Sequence, residues 1–293
     1  MTTQPQQTRQ AQRIVALVDG SIYSASVCEH AAWIAGRSGA PVELIHVLGR
    51  REGAGTQDRS GAIALGARTA LLNELAELDA QRARLVSRRG RAILDDARAI
   101  LDRAGLGGTT TRLRRGDIVE TLAEVEDDAR VILIGKRGEA ADFARGHLGS
   151  NLERIVRASR KPVLVASRAF RPVAKVLVAH DGGMSAMKAV DHIARSPVFA
   201  GLELHVATVG AATPEVEKGL ENAAAMLASA GIAAGTSVLP GQPETALARL
   251  VEEARFDMLV MGAYGHSRIR SLIIGSTTTA MIRSCKVPVL LMR

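Results

Sequence analysis

The chain has 293 residues, of which 47% are hydrophobic and 23% are charged, and its formal net charge is +8. This length can bury two ordinary cores, and no apolar run reaches the roughly 20 residues that a membrane helix needs. Aromatic residues make up only 2% and basic residues are interleaved with acidic ones, so binding to single-stranded nucleic acid is disfavoured.

Two features of the sequence predict a cytoplasmic protein. Residues 1–12 form a polar tail that lacks the apolar centre of a signal peptide. Cys28 and Cys285 stand far apart within apolar helical patterns and show no CxxC spacing. We therefore expect both to be small buried residues of a protein that works in a reducing compartment.

The N-terminal half begins with a strand, a turn and a helix. An apolar run from Ile14 to Val18 ends at Asp19-Gly20-Ser21, and a helical pattern then continues to Gly36. A second apolar run, Pro41 to Val47, follows. Short apolar runs of this kind predict strands of a parallel sheet that is buried on both faces.

A long insertion, at about residues 50–103, separates the second predicted strand from the third. It starts rich in glycine and continues as an Ala, Leu, Arg and Glu stretch, with helical spacing at Leu71, Leu75, Leu78 and Leu85. The spacing predicts an extended helix or a helical hairpin on one face of the domain, and an arm that binds a partner is the alternative.

The remaining landmarks of the N-terminal half recur in the same order in the C-terminal half. The first set is Asp19, Gly116, Gly135, Gly149 and Pro162–Ala166, and the second is Asp181, Gly241, Gly262, Gly275 and Pro288–Met292. The two aspartates are 162 positions apart, whereas the three glycine pairs are 125 to 127 apart, which places the extra residues in the insertion. We also match the phrase LIHV, which ends at Val47, with LELHV, which ends at Val206.

This repeat predicts an α/β protein with two tandem, doubly wound, Rossmann-like domains. Each half alternates strand and helix five times, which predicts a five-stranded parallel sheet of order 3-2-1-4-5 with right-handed crossovers. The predicted domains are 13–168, which contains the insertion, and 173–293. The last strand of each domain is an uncharged, apolar edge, and such an edge invites pairing.

The C-terminal half offers a place for an anion. A strand order of 3-2-1-4-5 brings Asp181, at the end of the first strand, close to Gly262, at the end of the fourth. Gly275 and Ser276 then begin a helix. Glycines allow backbone N–H groups to approach a ligand closely, and a helix start provides unpaired N–H groups, so the arrangement suits a phosphate.

These motifs resemble the universal stress protein family over nearly the whole chain. They are DGS or DGG after strand one, LHV after strand two, and G-x2-G-x9-G-[S/T] after strand four. The resemblance implies that ATP binds here, with the acidic residue at the ribose, the residue after the histidine at the adenine, and the glycines and serine around the phosphates. Whether Mg²⁺ or Mn²⁺ accompanies the nucleotide stays open. The implied site comprises Asp181, Val206, Gly262, Gly265, Gly275, Ser276 and Thr277.

The N-terminal half departs from the family pattern. Ten residues, rather than nine, separate Gly138 from Gly149, and this loop carries Glu139 and Asp142, which would repel a polyphosphate. Lys136-Arg137 could offset that repulsion. A retained fold without binding is the alternative to a second, weaker site. That weaker site comprises Asp19, Val47, Gly135, Gly138, Gly149 and Ser150.

No pattern in the sequence predicts catalytic residues or a metal site. It contains no nucleophile with a local base signature, no Walker Gly-Lys-Ser and no metal-ligand spacing. We therefore expect an ATP-binding, nucleotide-dependent stress-response regulator that also contacts an unidentified protein partner. The alternatives are a slow ATP-hydrolysing or nucleotidyl-transfer enzyme, and an interaction scaffold that binds through the Arg-rich helix from Gln81 to Arg103. The family resemblance also implies that the two last strands join the halves as an intramolecular pseudo-dimer, and a further homodimer is left open.

Overall fold

The computed structural model describes residues 12–49, 65–138, 149–263 and 275–293, without the side chains of 65–70. The N-terminal half contains β1 (Arg13–Leu17), α1 (Ser24–Ser38), β2 (Val42–Leu48), α2 (Leu65–Arg103), β3 (Thr110–Arg115), α3 (Ile118–Val125), β4 (Ala129–Gly135), α4 (Ser150–Ala158) and β5 (Val163–Ala166). The C-terminal half contains β6 (Lys175–Ala179), α5 (Met184–Arg195), a 3-10 turn (Pro197–Phe199), β7 (Glu203–Val209), α6 (Pro214–Ser229), β8 (Ala234–Leu239), α7 (Pro243–Glu253), β9 (Met258–Gly262), α8 (Ser276–Ser284) and β10 (Val289–Met292). Among the described residues, no helix is long and apolar enough to cross a membrane.

The strands of the described ranges form one continuous sheet in the order β3-β2-β1-β4-β5-β10-β9-β6-β7-β8. Within each half the neighbouring strands are parallel and follow the order 3-2-1-4-5. The halves meet through β5 and β10, which pair antiparallel with Val165 opposite Val289. The predicted fold class and the predicted pseudo-dimer are therefore both confirmed.

Alternate residues of each strand face opposite sides of the sheet, and each side has its own core. In β1, Ile14 and Ala16 belong to one core, while Val15 and Leu17 belong to the other. Helices α1, α2, α5 and α6 cover the first side, and α3, α4, α7 and α8 cover the second. A large apolar side chain contributes about 1.5–3 kcal/mol when it is fully buried, so a shift by one residue along a strand would be strongly opposed.

The described part of the insertion, residues 65–103, forms a single continuous helix and not a hairpin. Helix α2 has 39 residues, whereas α6, its counterpart in the C-terminal half, has 16. At 1.5 Å per residue α2 is about 58 Å long. Its C-terminal part buries Leu94, Ala97 and Leu101 against the sheet, while residues 71–82 are all exposed. The extra length therefore projects beyond the body of the domain.

Both cysteines are buried and unpaired, as the sequence predicted. Burial raises the pKa of the Cys28 thiol to about 12, and the neighbouring Glu29 acts in the same direction. Burial also raises the pKa of Cys285. Both thiols are therefore protonated and unreactive at neutral pH.

Candidate functional site

A cavity of about 310 Å³ opens at the carboxyl ends of β6, β7 and β9. This is where the strand order of the C-terminal half reverses, the usual ligand position in an open α/β sheet. The volume is at the lower end of the roughly 300–1,000 Å³ range of small-molecule pockets. The lining residues are Ala179, His180, Asp181, Ala207, Val209, Pro243, Leu247, Met261, Gly262, Gly275, Ser276, Thr277 and Thr278.

Asp181 is held at the mouth of the cavity by a tight turn. Its Oδ1 accepts a hydrogen bond of 2.9 Å from the backbone N–H of Gly183. Gly182, between them, has φ +77°, a left-handed conformation that favours glycine. The turn therefore places the carboxylate directly beyond the end of β6, as the sequence predicted.

Gly262 allows the start of α5 to pass very close to the end of β9. A Cβ at position 262 would lie 2.9 Å from the Cβ of Ser185. On the other side, the Thr278 hydroxyl is 3.3 Å from the carbonyl oxygens of Gly262 and Ala263, to which it donates. These contacts tie the first turn of α8 to the end of β9.

The N-terminus of α8 faces this cavity. Its N-cap is Gly275, which offers no side chain to the first-turn N–H groups, and no acidic residue stands in that turn. Ser276 is thus the first residue of the helix and not its cap. Unpaired N–H groups and the positive end of the helix dipole both favour an anion at this position.

His180 lines the cavity although its side chain is largely buried. Its Nε2 lies 3.2 Å from the sulfur of Met187, and its carbonyl oxygen accepts a hydrogen bond of 2.7 Å from the Thr208 hydroxyl. Burial lowers the pKa of His180 below its ordinary value, although Asp181 acts in the opposite direction. The imidazole is therefore neutral at pH 7.

Val206 is not where the resemblance placed it. Its side chain is fully buried in the core on the other side of the sheet, and the cavity is lined by Ala207 and Val209 instead. Strand β7 continues to Val209, three residues beyond the predicted end at Val206. The adenine-facing assignment of Val206 is therefore wrong for its side chain.

Strand pairing explains this error. Ala16 pairs with Leu44 in the N-terminal half, and Val178, three residues before the second aspartate as Ala16 is before the first, pairs with Val206. Leu44 therefore corresponds to Val206, and Val47 corresponds to Val209. The match between LIHV and LELHV was wrong by three residues.

Hydrogen bonds support the corrected correspondence. His46 bonds through Nδ1 to the carbonyl oxygen of Val18 at 2.7 Å, as Thr208 bonds to that of His180. The spacing of 162 positions that relates the two aspartates also relates these two residues. Applied along β2, that constant spacing would have found Val209 from the sequence.

In the N-terminal half, the corresponding groups contact one another. Asp19 Oδ1 accepts hydrogen bonds from the Ser21 N–H at 3.0 Å and from the Ser24 hydroxyl at 3.2 Å. A Cβ at Gly138 would lie 3.0 Å from Asp19 Oδ2, and one at Gly135 would lie 2.5 Å from the Cβ of Tyr23. At the ends of β1 and β4, the predicted site residues Asp19, Gly135 and Gly138 therefore lie close to one another and to Tyr23.

Lys136 reaches into the other half of the molecule. Its side chain is buried, and its amine donates to the carbonyl oxygen of Cys285, the C-cap of α8. Burial lowers the pKa of Lys136 to about 8. The lysine that could have offset acidic residues in its own loop therefore contacts the C-terminal half instead.

The helix starts of the two halves also differ in charge. The N-cap of α4 is Gly149, whose N–H donates to the Lys136 carbonyl oxygen at 3.2 Å, and Glu153 stands in the first turn. Ser150 is exposed at the start of this helix. The N-terminus of α8 has no such acid, so it is the better site for an anion.

Some predicted positions lie outside the described residues, namely Gly265, Glu139 and Asp142. Of the predicted C-terminal site, the cavity brings together Asp181, Gly262, Gly275, Ser276 and Thr277. Within the described ranges, no group of three or more His, Cys, Asp or Glu residues could hold a metal ion.

Comparison with known proteins identifies the family. The family model of the universal stress protein family matches residues 10–167 and again residues 172–293. A universal stress protein of Synechocystis sp. is 37% identical over 284 residues, which cover 96% of this chain and 99% of that protein.

Two crystal structures show the same fold along the chain. One is a universal stress protein from Archaeoglobus fulgidus, with 21% identity and a TM-score of 0.70 over 97% of this chain and 99% of the other. The other is a functionally unknown protein from Pseudomonas aeruginosa, with 15% identity and a TM-score of 0.58 over 97% and 93%. With both halves matched by its family model, the chain belongs to the universal stress protein family and carries the family's domain twice in tandem.

Proposed function

We propose that the C-terminal half binds ATP and that the protein is a cytoplasmic, nucleotide-dependent stress-response regulator rather than a fast enzyme. One observation carries the proposal: a cavity of about 310 Å³ is bordered at once by Asp181, by the end of β9 at Gly262 and by the N-terminus of α8. A carboxylate, a glycine turn and a helix start are the three groups that a nucleotide's ribose and phosphates need.

The polar side of the cavity fits the ribose and the phosphates. The Asp181 carboxylate can accept hydrogen bonds from ribose hydroxyls. The first-turn N–H groups of α8, at positions 276–278, can donate to phosphate oxygens, and the Ser276 hydroxyl can add a further bond. The dipole of α8 contributes about 0.3–1 kcal/mol to the binding of an anion at its N-terminus.

The apolar side fits a flat base. Val209, Leu247 and Met261 line the cavity together with Ala207 and Pro243, so an adenine ring can be enclosed between β7 and the start of α7. Each 100 Å² of apolar surface removed from water contributes about 2.5 kcal/mol. The base would therefore supply affinity, while the polar groups orient the phosphates.

The titratable side chains of the described lining favour binding over rapid hydrolysis. They are His180, whose Nε2 faces the sulfur of Met187, and Asp181, which holds the turn to Gly183. Both side chains are engaged in positioning contacts. Regulation then requires that ATP bind two conformations of the protein with different affinities.

Isothermal titration calorimetry with ATP and ADP tests the proposal. We expect one equivalent of ATP per chain, and at least about tenfold weaker binding for Gly275→Val, because the new side chain would stand among the phosphate-binding N–H groups. The matched control is Gly107→Val, since a Cβ at this exposed loop position meets no atom within 4 Å.

Three outcomes would contradict the proposal. Equal heats from the wild type and Gly275→Val would remove the site, and the absence of heat with either nucleotide would remove the function. ATP turnover in the ordinary enzymatic range of about 1–10³ s⁻¹ would place the protein among the enzymes instead.

A further inference from the structure

The projecting part of α2 exposes leucines that none of the described residues covers. Leu71, Leu75, Leu78 and Leu85, here called the leucine stripe, are 39% to 62% exposed. They span 15 residues, from Leu71 to Leu85, or about 21 Å of helix. A contiguous exposed apolar surface of this kind marks an interaction site more often than a solvated face.

The leucine stripe is distinct from the face by which α2 packs on the sheet. That packing face carries Gly90, Leu94, Ala97 and Leu101, all of them buried. At 100° per residue, the centre of the leucine stripe lies about 115° around the helix from the centre of the packing face. Helix α2 therefore has two apolar faces. The packing face contacts the sheet, whereas the leucine stripe has no partner among the described residues.

The spacing of the leucine stripe suits another helix. Leu71, Leu78 and Leu85 recur at seven residues, and Leu75 falls four residues after the first of them, which is the pattern of a two-helix seam. A solvent-surrounded helix gains little stability from backbone hydrogen bonds alone. Packing against a second helix would stabilise the projecting turns of α2.

Charge along the projecting part of α2 identifies the partner. Its first half carries Glu74, Glu77 and Asp79, and Arg82 and Arg84 follow. Two copies that run antiparallel about Leu78 would place Glu74 of each beside Arg82 of the other at both ends of the overlap, while Glu77 and Asp79 meet near its centre. A parallel pair would place like charges side by side, which is unfavourable.

We propose that the leucine stripe joins two copies of this chain, with the α2 helices antiparallel across a two-fold axis near Leu78. At this register, Leu71 of one copy is level with Leu85 of the other, and Glu74 is level with Arg82. The same surface serves both copies, so the contact closes as a dimer and does not propagate into a filament.

Sedimentation velocity of the full chain tests the proposal. The chain has a mass of 30.9 kDa, and we expect a concentration-dependent dimer of twice that mass. Leu78→Glu should lower the association constant at least about tenfold, because it places a charge at the centre of the seam.

Ala80→Glu is the matched control, because it adds the same charge to an exposed position on the opposite side of the helix. It should leave the association constant unchanged. Circular dichroism of both variants checks that the helix content is retained.

Disulfide cross-linking tests the antiparallel orientation. Chains with Glu74→Cys mixed with chains with Arg82→Cys should form a mixed disulfide, and Glu74→Cys chains alone should not. The native cysteines are buried and contribute no background. Any of three results would overturn the proposal. The first is a cross-link between two Glu74→Cys chains, and the second is a wild type that stays monomeric at a concentration of about 200 µM. The third is a Leu78→Glu variant that dimerises as strongly as the wild type.

Discussion

The buried amine of Lys136 predicts a measurable dependence of stability on pH. Burial lowers its pKa in the folded protein to about 8, against an ordinary value of 10.5. Between these two values the unfolded chain binds more protons than the folded one, so the free energy of unfolding rises with pH. From pH 7 to pH 10 this group alone should add about 2.5 kcal/mol.

Replacement by methionine isolates this contribution. Lys136→Met keeps an apolar stem of similar length but removes the titrating amine and its hydrogen bond to the Cys285 carbonyl oxygen. We compare the free energies of unfolding of the variant and the wild type. Their difference should favour the variant most at pH 7 and should shift by about 2.5 kcal/mol towards the wild type by pH 10. Arg137→Met, at the partly exposed next position, is the control for the loss of a positive charge.

Urea unfolding at pH 7, 8, 9 and 10, followed by circular dichroism, gives the free energies. Coincident transitions at two wavelengths would show that the two halves unfold together, which the comparison requires. A difference between Lys136→Met and the wild type that stays constant with pH would refute the reasoning, because it would mean that the amine stays charged in the folded protein.

Three further predictions concern the cavity and the junction between the halves. Gly262→Ala should weaken ATP binding and lower the melting temperature, because its methyl group would lie 2.9 Å from Ser185 Cβ; Ser185→Gly in the same chain should restore both in calorimetry. Glu126→Gln should destabilise the protein by about 1–3 kcal/mol in urea unfolding, because this buried carboxylate accepts bonds from the Ser159 hydroxyl and the Arg160 N–H. Although burial raises the pKa of Glu126, these bonds lower it overall, so the wild type should lose this advantage as the pH falls below about 4.5. Val289→Lys should cost about 3–5 kcal/mol, because it places a charge in the buried β5–β10 pair, and a melting temperature equal to that of the wild type would contradict the pairing.

The repeat in the sequence was sufficient to predict the fold, because β1, β4, β6 and β9 are apolar runs that end at a glycine or within two residues of an aspartate. Helices with an apolar stripe follow these runs, and right-handed crossovers place such helices on both faces of the sheet. The aspartate, the glycines and the helix start at the cavity were predicted for a related reason. Tight turns and helix starts restrict which residue types can occupy these positions.

The residue proposed to face the base was misplaced by matching letters, although the constant spacing of 162 positions leads to Val209. A strand buried on both faces has no polar alternation to fix its register, so the similar letters of LIHV and LELHV misled the match. In β7 the histidine of LELHV, His205, bonds to Ser237 on the neighbouring strand at 2.8 Å, whereas in β2 His46 bonds to Val18. The same residue type thus has two different structural roles in the two halves.

The two halves share a fold but differ at the same edge of the sheet. In the N-terminal half Asp19 is hydrogen-bonded to Ser21 and Ser24, and Lys136 leaves its own loop for the far end of α8. That amine stands at the negative end of α8, where a positive charge stabilises the helix dipole. The N-terminal half therefore stabilises the C-terminal end of α8, whose N-terminal end faces the cavity of the C-terminal half. The two repeats thus differ in role, because the C-terminal half contains the cavity and the N-terminal half contacts the far end of the helix that borders this cavity.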